Sequence, residues 1–204
     1  MTHTDSRAVE GARFVAEVAA RCMRRSDEPL ATIVRSAKEV IDHPHLRDAI
    51  DRALALAEAQ ASTENASREL GNSGFIVHTI AITAFCFVRF GAEPGPARAE
   101  VIRAGGDTDS NAAIVGAWVG ALHGAAGLPL SLTNTLHDHD WFTSRGALTL
   151  GGPTHLRALA RDLVRAHGGE PCREARYSPI GALLRNAALY PIALIHAVRV
   201  LLSR

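Results

Sequence analysis

The chain has 204 residues, a formal net charge of +1, 21% charged residues and 5% aromatic residues. That length suits one domain with a sizeable core, and the near-neutral charge argues against a nucleic-acid binder and against disorder. Abundant alanine favours helices over sheets, because alanine loses no side-chain entropy in a helix and offers little to a pleated surface.

From Arg7 to Arg25, the residues Val9, Ala12, Phe14, Val15, Val18, Ala19 and Cys22 trace one apolar stripe at helical spacing. A second helix is predicted over Leu30–Ile41, opened by Pro29. "DHPH" at Asp42–His45 reads as the turn that breaks it, and a third helix follows over Leu46–Ala61. "STENASRELGNSG", residues 62–74, reads as a polar, glycine-marked loop with room for binding groups. "FIVHTIAITAFCFVRF", Phe75–Phe90, is apolar all round and predicts a central buried helix. Its β-branched residues permit a strand, but its length and helical surroundings argue against one. "GAEPGP" is a turn, Ala97–Arg103 a short helix, and Asn111–Gly124 an apolar helix. In that last helix Gly116, Gly120 and Gly124 recur every four residues beside Ala113, Ala117 and Ala121. Such a small-residue ridge allows close helix packing, although each interior glycine costs about 1 kcal/mol relative to alanine.

Further helices are predicted over Pro153–Ala166 and Ile180–Leu202. The latter is interrupted by Arg185, Asn186, His196 and Arg199 and contains Pro191. It reads as a helix or helix pair docked on the domain rather than as a membrane span. The expected architecture is all-α, with the main domain in residues 1–150 and a helical C-terminal extension, 151–204, packed on it. Cys22, Cys86 and Cys172 are odd in number and widely spaced, which excludes a closed disulfide framework and a CxxC knuckle. Together with a polar N-terminus that lacks a secretory apolar core, they point to a cytoplasmic protein with no membrane partner.

The stretch "AGGDTDSNAAIVGAWVGALHG" concentrates the chemistry. Asp107, Asp109 and Ser110 offer only oxygen donors, the kind that hard divalent cations select. Gly105 and Gly106 let the backbone bend and approach a ligand. A second reading is capping: Asp107 as N-cap, with acidic and hydroxyl residues in the first turn, satisfies free N–H groups and suits the helix dipole. The two readings are compatible. "DTDSN" also mimics an EF-hand loop, but the sixth and twelfth positions are Ala112 and Trp118 where glycine and glutamate are required.

"GGDTDSNAAIVGAWVGALHGAAGLP" resembles the C-terminal signature of the ADP-ribosylglycohydrolase family, which includes the dinitrogenase-reductase-activating glycohydrolases. "THTDSRAVEGARFVAEVAA" is similar to the family's Thr-His-x-Asp segment, and "ELGNSGFIVHTIAITAFCFVRF" to its glycine loop and the buried helix that follows. The three segments stand in the family's order. The resemblance implies an all-α fold, a dinuclear Mg²⁺ (or Mn²⁺) centre in a cleft for ADP-ribose, and hydrolysis of the bond at ribose C1″, typically to a protein arginine. It assigns metal ligation to Asp107, Asp109 and Ser110, and the catalytic carboxylates to Asp107 and Asp109. It places His3, Gly71, Asn72, Ser73, Gly74, Gly105 and Gly106 against the substrate.

One family feature has no counterpart. A Thr-Asp-Asp-Thr-like cluster, which completes the dimetal site, should precede the Thr-His-x-Asp segment, and here that segment starts at Thr2. "HDHD" at His137–Asp140 is the only other dense ligand cluster and reads as a solvated loop. His78 reads as a hydrogen-bonded core histidine, and Asp5 as a helix cap. Without an N-terminal part the central helices would expose an apolar patch. The expected consequences are self-association, a separately encoded N-terminal half, or a chain that is one piece of a longer gene product. Besides the hydrolase, a non-catalytic ADP-ribose-binding or assembly subunit is a functional expectation, and a purely structural helical protein is a third.

Overall fold

The computed structural model describes residues 4–24, 27–124, 127, 153–171, 183, 187, 190, 191, 194, 195, 198, 199 and 202. The chain divides into two compact units, 1–129 and 130–204. Among the described residues of the first unit there are seven α-helices: α1 (Ser6–Arg24), α2 (Leu30–Ala37), α3 (Pro44–Glu58), α4 (Thr63–Leu70), α5 (Ile76–Phe90), α6 (Pro94–Arg103) and α7 (Thr108–His123). A 3-10 turn, Lys38–Val40, extends α2, and no strand occurs among the described residues. In the second unit α8 (Pro153–His167) is helical, as are the described positions from 183 to 202. The all-α expectation therefore holds.

α5 is the hub of the first unit. It packs on α1, α2, α3, α4, α6 and α7, and every residue from Thr79 through Phe87 is buried. An apolar segment with no polar face has to be enclosed on all sides, which also disposes of the strand reading. α7 lies beside α5 in the same direction: Gly74 meets Asp107 at one end, Phe87 and Trp118 stack edge-on midway with centroids 5.4 Å apart, and His123 Nε2 bonds Gly91 O at 2.8 Å at the other end. α1 joins the pair through Gly11, where a Cβ would come within 2.6 Å of Ile76, and through the Trp118 indole, which donates to Val15 O at 2.9 Å.

Several boundaries differ from the sequence expectation. Residues 63–70, read as loop, form α4. Ser62 caps it by accepting from the Asn65 amide, and only Thr63, Ala66 and Leu70 face inward. A two-turn helix with so few apolar residues gives almost no periodic signal; the serine cap and Gly71 at its end were the legible clues. Pro44 and Pro94 begin α3 and α6 rather than ending turns, as first-turn prolines do because that N–H needs no partner. His43 caps α3 with its side chain. The Glu10 carboxylate accepts from the His43 and Asp42 amides, both at 2.8 Å, and those bonds, His43 first, hold its pKa below the usual range.

Among the described residues nothing packs on the glycine ridge of α7: a Cβ at Gly116 or Gly120 would meet none of them within 4 Å, and Gly116 is exposed. The buried side of α7 is instead Asn111, Val115, Trp118 and Val119. Most of the expected Ile180–Leu202 helix, and all of "HDHD", lie outside the described residues.

Candidate active site

The acidic turn opens α7. Asp107 occupies the N-cap position with φ −80° and ψ 65°, and its side chain makes no cap hydrogen bond. A capping carboxylate folds back on the second or third amide from a β-region backbone; this ψ is far from that region. The capping expectation for Asp107 is thus not met by its side chain. The neighbouring Asp109 carboxyl is held below the ordinary carboxylate range, first by the Asp107 side chain and then by the Ser110 amide. Asp109 and Ser110 are exposed, and Asp107 and Thr108 are half-buried.

The turn is clasped by the glycine loop, which approaches from 35 positions away in sequence only because α5 and α7 run in parallel. The Asp107 amide donates to Asn72 O at 2.9 Å. Asn72 Nδ2 donates to Ala104 O at 2.7 Å, and Ser67 Oγ donates to the same carbonyl at 2.8 Å. Gly106, at φ +69°, has no room for a side chain: a Cβ there would lie 2.1 Å from Asn72 O. Gly74 lets the Asp107 carboxylate close down, since a Cβ would sit 2.9 Å from Oδ2. Gly71 and Gly105 also have positive φ, +78° and +73°. Two of the residues read as substrate-facing, Asn72 and Ser73, have bonds of their own. Ser73 Oγ shares a hydrogen bond with His78 Nδ1 at 2.8 Å.

His78 differs from its sequence reading. It is half-buried at the edge of the glycine loop rather than in the core, with Phe75 edge-on at 5.4 Å. No local pattern signals that a residue inside an apolar run turns back to a loop five positions earlier. The third motif reaches the same end of the bundle. Asp5 caps α1, accepting from the Arg7 amide at 2.9 Å, and the Arg7 guanidinium lies 5.3 Å over the Phe75 ring. Asp5 is brought to a pKa of about 2, first by the Arg7 side-chain bond and then by the Arg7 amide. His3 lies outside the described residues. The starts of α1, α5 and α7 thus gather around the acidic turn.

The donor set can be matched to its expected ion. Among the described residues no group of three or more His, Cys, Asp or Glu side chains comes together. The residues that the resemblance names for the ion, Asp107, Asp109 and Ser110, offer oxygen donors only. That suits Mg²⁺ or Mn²⁺, which are bound through one or two carboxylates and keep water or substrate oxygens in the remaining positions.

The model of the ADP-ribosylglycohydrolase family matches residues 1–172. The chain belongs to that family. The match begins with the segment capped by Asp5, spans the glycine loop and acidic turn, and extends beyond α8. Membership ties this ADP-ribosylglycohydrolase-family chain to ADP-ribose-related glycohydrolase chemistry in general. Comparison with curated proteins and with solved structures gives no significant match. Among the described residues no helix is long and apolar enough to cross a membrane.

Proposed function

We propose that the chain is a divalent-cation-dependent hydrolase of the ribose C1″ glycosidic bond in ADP-ribosylated substrates, with ADP-ribosyl-arginine on protein as the substrate class. The observation that carries this reading is the Asp107 carboxylate: it occupies a helix-capping position, makes no cap bond, and lies against the glycine loop at Gly74. Asp107, Asp109 and Ser110 would hold Mg²⁺ or Mn²⁺. Bound there, the ion orients ribose hydroxyls and lowers the pKa of a water ligand.

The remaining chemistry belongs to the chain's own groups. Cleavage at C1″ builds positive charge on the sugar ring, and an ionised carboxylate beside it stabilises that charge or takes a proton from the attacking water. Asp109, exposed at the same turn, is the carboxylate offered for this role. The starts of α1, α5 and α7 direct the positive ends of three helix dipoles toward one region, which favours an anionic group such as a diphosphate. The clasp between Asn72 and Asp107 keeps the glycine loop and the carboxylates in one fixed relation, as orientation effects on rate require.

The test is release of ADP-ribose from ADP-ribosyl-arginine by the full chain, with Mg²⁺ and with chelator, alongside calorimetry with ADP-ribose. Turnover that stops with chelator, and falls about 100-fold or more in Asp109→Asn, supports the hydrolase. Calorimetric binding without turnover replaces it with a non-catalytic ADP-ribose-binding subunit. Neither binding nor turnover overturns both.

A further inference from the structure

Asn111 closes the "DTDSN" stretch, one turn beyond Asp107. It is completely buried, yet both its Nδ2 and its Oδ1 lack a hydrogen-bond partner among the described residues. Buried carboxamides are nearly always satisfied, and an orphaned one calls for a water or ligand as its partner. Its position narrows the choice. The Asn111 amide donates to Asp107 O at 3.0 Å, so the two residues stand one turn apart on the same face of α7. Helical side chains lean toward the N-terminus and cover the preceding turn. The Asn111 carboxamide is therefore directed back at the Asp107 turn from the interior side. The α5–α7 register, Gly74 beside Asp107 and Phe87 beside Trp118, sets it near the level of Thr79, another buried polar residue at this end of the bundle.

We propose that Asn111 is a positioning residue of the cation site, its carboxamide holding a water of the bound ion's shell against the Asp107 turn. The inference rests on the cation-dependent function proposed for the same turn. An amide has the right groups for this role. Oδ1 accepts a hydrogen bond from a cation-bound water, while Nδ2 donates to a carboxylate oxygen or a second water. An aliphatic residue can do neither, and a serine hydroxyl has a single proton to donate and a shorter reach. A purely structural Asn111 would leave two polar atoms desolvated for no return, and a leucine of similar size would serve better.

The experiment titrates the full chain with Mn²⁺ alone, followed by electron paramagnetic resonance, and records melting without metal. Asn111→Leu should bind Mn²⁺ about 10-fold or more weakly. Without metal it should melt no lower than the wild type, because two unmade hydrogen bonds leave with the amide. Asn111→Ser, which keeps one hydroxyl, should recover part of the affinity. Unchanged Mn²⁺ affinity in Asn111→Leu overturns the assignment; if that variant does not fold, Asn111→Ala carries the same reading. Mn²⁺ binding lost in Asp109→Asn but retained at the wild-type level in Asn111→Leu overturns the role of Asn111 alone. A wild-type chain that binds no Mn²⁺ overturns the cation-dependent function along with it.

Discussion

α5 and α7 lie side by side, run the same way and are almost equally apolar, yet they do opposite jobs. α5 is enclosed from Thr79 to Phe87 and ends in a plain turn at Gly91. α7 buries one stripe, leaves Ala113, Gly116 and Ala117 exposed, and carries at its first turn the charged residues that α5 lacks. Full enclosure fixes a helix's position; a half-exposed neighbour keyed to it can then present polar groups at a defined place. The large side chains divide in the same way, with Phe85, Phe87, Ile80 and Ile82 on α5 and Trp118 as the single large anchor of α7.

The contrast breaks most visibly in the core. Phe85→Ala should cost about 3–5 kcal/mol, measured by denaturant unfolding; a cost below about 1 kcal/mol would deny α5 its central place. Next comes the clasp. Gly106→Ala forces a Cβ onto the Asn72 carbonyl and a side chain into a left-handed backbone, and should cost about 1–3 kcal/mol while abolishing Mn²⁺ binding. Loss of stability with intact binding would detach the glycine loop from the site. In the opposite direction, Gly116→Ala should stabilise the chain by up to about 1 kcal/mol, since the Cβ meets none of the described residues and helix propensity improves. A fall in melting temperature would show instead that the exposed side of α7 is covered in solution.

The smallest effect is at the start of α1. The pKa of Asp5, about 2, lies below its ordinary 3.8, so its contribution is fully present above the ordinary value and is lost as pH falls through the lower one. Asp5→Asn keeps the cap but removes the charge. The difference in melting temperature between it and the wild type should shrink between pH 3.8 and about 2. A difference that persists at the acid end would assign the effect to the cap rather than to the pair with Arg7.

Much of this was written locally in the chain. The buried helix at Phe75–Phe90, the stripe on α1 and the acidic turn follow from hydrophobic period and residue chemistry, and the three motif segments fall at one end of the bundle. Other features depend on distant partners. Asn72 reads as a substrate-facing loop residue, and its bond to Ala104 could not be read locally. Asn111 reads as an ordinary position in an apolar helix; its burial, and the absence of partners for its amide among the described residues, depend on how α7 packs against its neighbours. Gly116 and Gly120 fit a packing motif by spacing, and spacing alone does not say whether a neighbour is there.

The bond from the Asp107 amide to Asn72 O also sets a clock on the rim of the molecule. Protons on amides in surface turns normally trade with solvent almost as fast as in an unfolded chain. This one is shut away by a carbonyl belonging to a segment that Asn72 and Ser67 themselves anchor at Ala104. Deuterium enters there only when the two segments part, so its uptake at this single site times the opening of the rim.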